Sequence, residues 1–287
     1  MYEFLNGLDG DLVANLIRRF QNLWMHGVVE AENETAEEEN PWIFEIRHEP
    51  CGMPLAEYQK NAGHLRAIQH FTDLLCRLHP LNEEDLYDLH RMIIGKAATA
   101  DPLEPIGAWK TESNGTFVNR AVDVHQRKEC IYYQYADPAD IPCLMNRWLT
   151  LYNHEMESTH TMVGAAGSYA KLHSTFVWIH PFFNGNGRLA RLLSNGPVLK
   201  AGFPPILISA GRRRYYYKAL DAFKLTNGRA ERNTDLNLCD ESLVGFCQFC
   251  RSCWRDTLIL VAEARQKQEA RNRLRENRNP HASESIA

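Results

Sequence analysis

The sequence predicts a mainly helical bundle with one inserted β-hairpin and an N-terminal helical extension. Three observations point there. Apolar residues recur at helical spacing over most of the chain. One interval, 105–136, switches to strand and turn text. No internal repeat or proline-rich linker divides the rest, and 287 residues with 44% hydrophobic content can bury a substantial core.

In order, residues 9–25 carry Leu12, Ile17, Phe20, Leu23 and Trp24 at helical intervals after Asp9. After an acidic stretch comes a second pattern over 54–79, with Leu65, Ile68, Phe71, Leu74 and Leu75. Asn82-Glu83-Glu84 is start text for a third, running through Leu86, Leu89, Met92 and Ile93. Further helices are expected at 138–152, 161–179, 188–201, 213–226 and 241–275. Between them, Asn114-Gly115, Thr116-Phe117-Val118 and Ile131-Tyr132-Tyr133-Gln134-Tyr135 read as a hairpin, whose aromatic strand needs a partner or a cover. From Gln266 to Ala287 the text turns to Arg, Asn, Glu and Gln, a fraying helix passing into a disordered tail. The expected organisation is thus an N-terminal helical region 1–80, a core 81–265 and a tail 266–287.

Charge narrows the partners. With 36 acidic and 32 basic residues, net −4, nucleic acid is not indicated. No apolar run approaches ~20 residues and no signal peptide opens the chain, so a soluble cytoplasmic protein with no membrane association is expected. Eight irregularly spaced cysteines suit reduced thiols in that compartment. Cys247, Cys250 and Cys253, with Cys239 upstream, have the look of a metal site. Three thiols stepping along one helix cannot close a tetrahedron, however, and they are expected to be small core residues.

The chemistry concentrates in His180-Pro181-Phe182-Phe183-Asn184-Gly185-Asn186-Gly187-Arg188-Leu189-Ala190-Arg191. The glycines let backbone N–H groups approach an anion, and a helix beginning near Gly187 adds uncapped donors and a partial positive charge. Arg188 and Arg191, three apart, present planar forks on one helix face. The Asn184 amide can reach a metal, and His180, with an ordinary pKa near ~6.5, is the natural general base. Taken singly, each of these residues reads as an ordinary turn or surface residue; the combination does not.

This run resembles the core motif of the Fic (fido) family, His-x-Phe-x-(Asp/Glu)-Gly-Asn-Gly-Arg-x-x-Arg, and departs from it only at Asn184. The resemblance extends over roughly 30–260, with weaker matches at Gly107-Ala108-Trp109-Lys110 and Glu241-Ser242-Leu243-Val244. It implies a helical enzyme that moves AMP from ATP to a Ser, Thr or Tyr hydroxyl of a target protein. His180 takes the proton; Gly185, Asn186 and Gly187 hold the α- and β-phosphates; Arg188 serves the β- and Arg191 the γ-phosphate. Asn184 stands where a carboxylate usually holds Mg²⁺ (or Mn²⁺), and its carbonyl oxygen ligates a hard cation without formal charge. One of Tyr215, Tyr216 and Tyr217, here taken as Tyr216, lies near the nucleobase. Phe182 is expected to fix the loop, and His173 to be a hydrogen-bonded core residue. The hairpin near 105–136 corresponds to the flap on which a target segment adds as a strand. A homodimer is compatible with the pattern.

Thr35-Ala36-Glu37-Glu38-Glu39-Asn40 resembles the family's inhibitory helix, (Ser/Thr)-x-x-x-Glu-(Gly/Asn), placed as in the branch that keeps it N-terminal to the core. That likeness implies a brake formed by Thr35, Glu39 and Asn40, with Glu39 pairing with Arg191 and displacing the γ-phosphate. Other readings are a different nucleotide donor, a de-AMPylase using Glu39, or an ATP-binding module with little turnover.

Overall fold

The structure is a computed structural model that describes residues 2–32, 55–77, 79–95, 104–121, 128–238 and 241–278. Helix α1 (Gly10–Glu32) buries Leu12, Leu16, Phe20 and Trp24, a stripe repeating every fourth residue. Helix α2 (Leu55–Cys76) buries Ala67, Phe71 and Leu74 and packs on α3 (Glu83–Ile94). Asn82 starts α3 with a full capping box: its side chain accepts from Glu84 and Asp85 N–H, and Asp85 accepts from Asn82 N–H. The proposed inhibitory residues Thr35, Glu39 and Asn40 lie outside the described residues.

Helix α4 (Ile141–Ser158) leads to α5 (Met162–Ile179), the centre of the molecule. Every residue of α5 from Leu172 to Ile179 is buried, as expected of a helix surrounded by others. It contacts α4, α6 (Asn186–Leu193), α7 (Asn195–Lys200), α8 (Arg213–Asn227) and α9 (Glu241–Arg278). The motif loop therefore leaves from the end of the most constrained helix.

Strands β1 (Gly115–Ala121) and β2 (Lys128–Gln134) form the expected antiparallel hairpin, with Phe117 opposite Tyr132 and Val118 opposite Ile131. Val118 is buried, whereas Phe117 and Tyr132 stand exposed with ring centroids 5.6 Å apart.

Two expectations need correction. The single helix over 188–201 is two, α6 and α7, because Pro197 has no N–H to donate to Leu193. The helix expected over 241–275 is present and runs to Arg278, without the fraying expected from Gln266. Gln268 accepts from Asp9 N–H at 2.7 Å, while Arg271 and Arg275 pair with Asp9, and Arg271 also with Asp11. Residues 279–287 lie outside the described residues. On α9, Cys250 and Cys253 are fully buried among core side chains, and burial pushes the Cys250 thiol up; Cys239 is not described.

Candidate active site

His180 ends α5 in the left-handed region (φ 55, ψ 60), its N–H closing the helix onto Phe176 O at 3.0 Å. That conformation costs a non-glycine residue about 1–2 kcal/mol and turns the chain abruptly out of the helix. Nδ1 lies 3.3 Å from Val177 O. A carbonyl only accepts, so Nδ1 carries the ring proton and Nε2 keeps its lone pair. Tyr135 stacks on the imidazole, 3.7 Å between centroids. Burial, followed by the charges of Lys110 and Lys224, pushes His180 down to about 3 against the weaker pull of Val177 O.

The loop after His180 is built on Asn186. Its Oδ1 accepts from Phe182 N–H at 3.0 Å, and its Nδ2 donates to Phe182 O at 2.8 Å, closing a small ring. Phe182 is fully buried between His90 (4.0 Å, parallel) and Trp109 (4.9 Å), which fixes the loop's depth. His90 clasps the other side. Gly107 N–H donates to its Nδ1 at 2.9 Å, so Nε2 bears the proton and donates to Asn184 O at 3.2 Å. Burial first, then the Arg188 charge, lowers His90 to about 4, consistent with that neutral form.

Gly185 precedes α6 at φ 74; a Cβ there would lie 2.8 Å from Ile94 Cδ1, so both backbone and space require glycine. No side chain caps α6, and the first helical bond runs from Leu189 N to Gly185 O. The N–H groups of Asn186 and Gly187 therefore have no partner within the helix, and such groups at a helix start suit an anion. Arg188 and Arg191 are both buried on this helix. Arg188 Nη1 donates to Ile93 O at 3.1 Å, locking α6 to α3. Arg191 has no carboxylate partner among the described residues; its guanidinium rests on the Tyr216 ring, 5.8 Å from the centroid. Beside it is a small pocket lined by Trp24, Arg191, Ile206, Leu207 and Ile208.

Of the three tyrosines, Tyr216 points inward and Tyr215 and Tyr217 are exposed. The Tyr216 hydroxyl lies 3.3 Å from His173 Nε2, placing His173 in a buried polar pair. The structure thus gathers His180, Gly185, Asn186, Gly187, Arg188, Arg191 and Tyr216 around one turn of chain. Residues the sequence did not single out join them. His64 on α2 is buried near both arginines, whose charges act with burial to lower it to about 3. Lys110 and Lys224 are buried beside Tyr135, with Nζ 5.8 and 5.7 Å from its ring centroid. Glu104 accepts from Asn184 Nδ2 at 3.0 Å. All of these come from separate segments, beyond the reach of a contiguous motif.

Uncapped backbone N–H groups, buried guanidiniums and a neutral histidine stand together, and residues 58–196 match the model of the Fic/DOC family. The match identifies a Fic/DOC-like domain within the chain. The matched Fic span ends at Gly196, so α8 with Tyr216 lies beyond it. A curated relative, Protein adenylyltransferase Fic of Drosophila persimilis, is 28% identical over 258 residues, 85% of this chain and 44% of the relative. The chain thus spans less than half the length of the curated relatives it matches. Among solved structures, a Fic-domain signaling protein from Bacteroides thetaiotaomicron is similar at TM-score 0.70 and 20% identity, covering 92% of this chain and 94% of that one. A Fic-1 fragment from C. elegans is similar at TM-score 0.63 and 20% identity, covering 93% and 69%. At those identities the likeness establishes the fold.

A divalent cation can be tested against these residues. Among the described residues no group of three or more His, Cys, Asp or Glu could hold a metal. The loop corner instead offers oxygen ligands from the exposed Asn184 and the half-buried Glu104, close to the uncapped start of α6. That set fits a hard cation taking its remaining ligands from phosphate and water, and does not fit a cage made by protein alone. No described helix is long and apolar enough to cross a membrane.

Proposed function

We propose that the chain is a protein adenylyltransferase that moves AMP from ATP to a protein hydroxyl and is restrained by its own N-terminal segment. The observation that carries this reading is the buried Arg191, with no carboxylate partner among the described residues, one turn from the open N–H groups of Gly187 and Asn186. A buried guanidinium costs several kcal/mol unless an anion attends it. A triphosphate supplies one, and so does Glu39 when the brake is set.

In this reading the Asn186 and Gly187 N–H groups and Arg188 hold the α- and β-phosphates, and Arg191 holds the γ-phosphate. The target hydroxyl gives its proton to His180 Nε2, its oxygen bonds to the α-phosphorus, and the bond to the pyrophosphate oxygen breaks. Preset Nδ1–H donation to Val177 O leaves Nε2 the acceptor, and a depressed pKa keeps it neutral at pH 7. Asn184 would hold the Mg²⁺ or Mn²⁺, which when bound offsets the phosphate charge. Tyr216 serves the nucleotide subsite by carrying Arg191. The exposed Phe117–Tyr132 pair on the hairpin suits a protein segment adding alongside, and a homodimer is a further expected contact.

Glu39 pairing with Arg191 would remove the γ-phosphate clamp without closing the nucleotide site, as expected for the family branch with an N-terminal inhibitory helix. Intact-mass spectrometry after incubation with ATP and Mg²⁺ tests the reading. Glu39→Gly should gain the mass of one AMP, and Glu39→Gly/His180→Ala should gain none. An adduct independent of His180 refutes the assigned base. Equal adducts in wild type and Glu39→Gly refute the brake.

A further inference from the structure

The corner of the loop holds an amide where a charged oxygen is needed. Asn184 is exposed, and its backbone carbonyl is already taken by His90. Its side-chain Nδ2 donates to Glu104 Oε2 at 3.0 Å. Only the amide nitrogen is engaged, so Asn184 Oδ1 has no hydrogen-bond partner among the described residues, and neither has Glu104 Oε1. Glu104 also has no cationic partner among the described residues.

The position of Glu104 is fixed by backbone a few residues away. Gly107 N–H is bonded to His90 and Gly107 O accepts from Arg91 at 3.4 Å. Lys110 N–H donates to Pro181 O at 2.9 Å, so the segment carrying Glu104 is tied directly to the start of the motif loop and, through His90, to Asn184. The carboxylate is consequently presented to the Asn184 side chain, one residue before Gly185 and the uncapped start of α6.

Resting on the AMP-transfer reading, we propose that Glu104 and Asn184 together form the protein's share of the divalent cation site, Glu104 supplying the charge and Asn184 a neutral oxygen. A hard cation prefers anionic oxygen ligands, and an amide alone would hold it weakly. The Asn184–Glu104 hydrogen bond orients the carboxylate beforehand, in the way outer partners orient metal ligands. Phosphates and water complete the coordination.

The test uses the full chain and compares ATP affinity in EDTA with ATP affinity in Mn²⁺, by calorimetry, together with Mn²⁺ affinity by electron paramagnetic resonance at saturating ATP. Glu104→Gln keeps the size of the side chain and an oxygen for Asn184 Nδ2. It should weaken Mn²⁺ binding by about 10-fold or more. In EDTA the same variant should bind ATP as tightly as wild type or tighter, because a negative charge beside the triphosphate is gone. Adding Asn184→Asp to Glu104→Gln should restore Mn²⁺ affinity by returning a carboxylate to that corner.

A merely structural role for Glu104 would weaken binding equally with and without metal, and that outcome overturns the proposal. So does unchanged Mn²⁺ affinity in Glu104→Gln. If wild type binds ATP in neither condition, the AMP-transfer reading falls as well. The two failures are thus distinguishable in one data set.

Discussion

The Tyr135 ring lies flat against His180, 3.7 Å between centroids and 10° between planes. Tyr135 is held there by its N–H to Asn114 O at 3.1 Å, and Asn114 Nδ2 donates in turn to Phe183 O at 3.0 Å. The end of the hairpin is therefore bonded to the loop that carries the base. Burial and the nearby cations Lys110 and Lys224, both beside Tyr135, outweigh the single accepting carbonyl of Val177. The balance disfavours the imidazolium.

Tyr135→Leu should admit water to the ring and raise the His180 pKa from about 3 toward the ordinary value. The acid limb of kcat/KM for AMP transfer, measured on the Glu39→Gly background, should move up in pH accordingly. Tyr135→Phe, which keeps the stack, should leave the limb where it was. Lys110→Met removes a neighbouring charge and should shift it in the same upward direction as Tyr135→Leu. An unchanged limb in Tyr135→Leu, followed alongside by imidazole NMR, would show that the stack does not set the base.

Asn186 is the second point of leverage. Its amide makes two bonds to Phe182 in a fully buried setting. Asn186→Ala leaves a buried N–H and a buried carbonyl without partners, at a cost of about 1–3 kcal/mol each. Urea unfolding should register the loss. ATP affinity should fall with it, since the N–H groups of residues 186 and 187 lose their fixed direction. Asn186→Asp can still accept from Phe182 N–H but cannot donate to Phe182 O, so it should fall between the two. Wild-type stability in Asn186→Ala would mean that the ring does not brace the loop.

How much of this was legible depended on whether the residues were contiguous. The motif from His180 to Arg191 could be read because its parts are neighbours in sequence, and the hairpin because aromatic and β-branched residues lie on both sides of polar Arg127-Lys128. The break between α6 and α7 was hidden by apolar residues that continue through 188–201, although Pro197 marks it. That the end of α9 does not fray from Gln266 could not be seen, because its support comes from Asp9 and Asp11 at the other end of the chain. The places of Glu104, Lys110, Tyr135 and Lys224 at the site escaped notice for the same reason. Each looks ordinary in its own segment and acquires meaning only from what packs beside it.

Acid sensitivity follows from the histidines. His64, His90 and His180 are lowered to about 3, 4 and 3, and His173 lies well below its ordinary range, burial being the leading cause in each. The unfolded chain, with ordinary values near ~6.5, binds protons the folded chain refuses, so stability falls as pH drops from about 7 toward 4. Each such histidine contributes a slope of up to about 1.4 kcal/mol per pH unit in that window. His64 is the cleanest probe, since neither ring nitrogen has a hydrogen-bond partner among the described residues. His64→Leu should match or exceed wild-type stability at neutral pH and show a shallower loss on acidification. Urea titrations at a series of pH values check this; an unchanged slope would assign the acid sensitivity elsewhere.

The proposed brake makes a demand on Arg191 that differs from its demand on Glu39. If the two compete with the γ-phosphate for one guanidinium, Glu39→Gly should increase AMP transfer while changing ATP affinity much less, because the fault being relieved is one of phosphate placement. Arg191→Lys on that background should take most of the gain away. A lysine keeps the charge but not the planar fork, and it cannot lie on the Tyr216 ring as the guanidinium does. The expected loss is in kcat, with KM for ATP moving less, since the interaction matters where pyrophosphate departs. Single-turnover measurements with Glu39→Gly and Glu39→Gly/Arg191→Lys separate the two quantities. If the double variant retains the full rate of Glu39→Gly, Arg191 is not the group that Glu39 restrains, and the segment around 35–40 must act on the nucleotide in some other way.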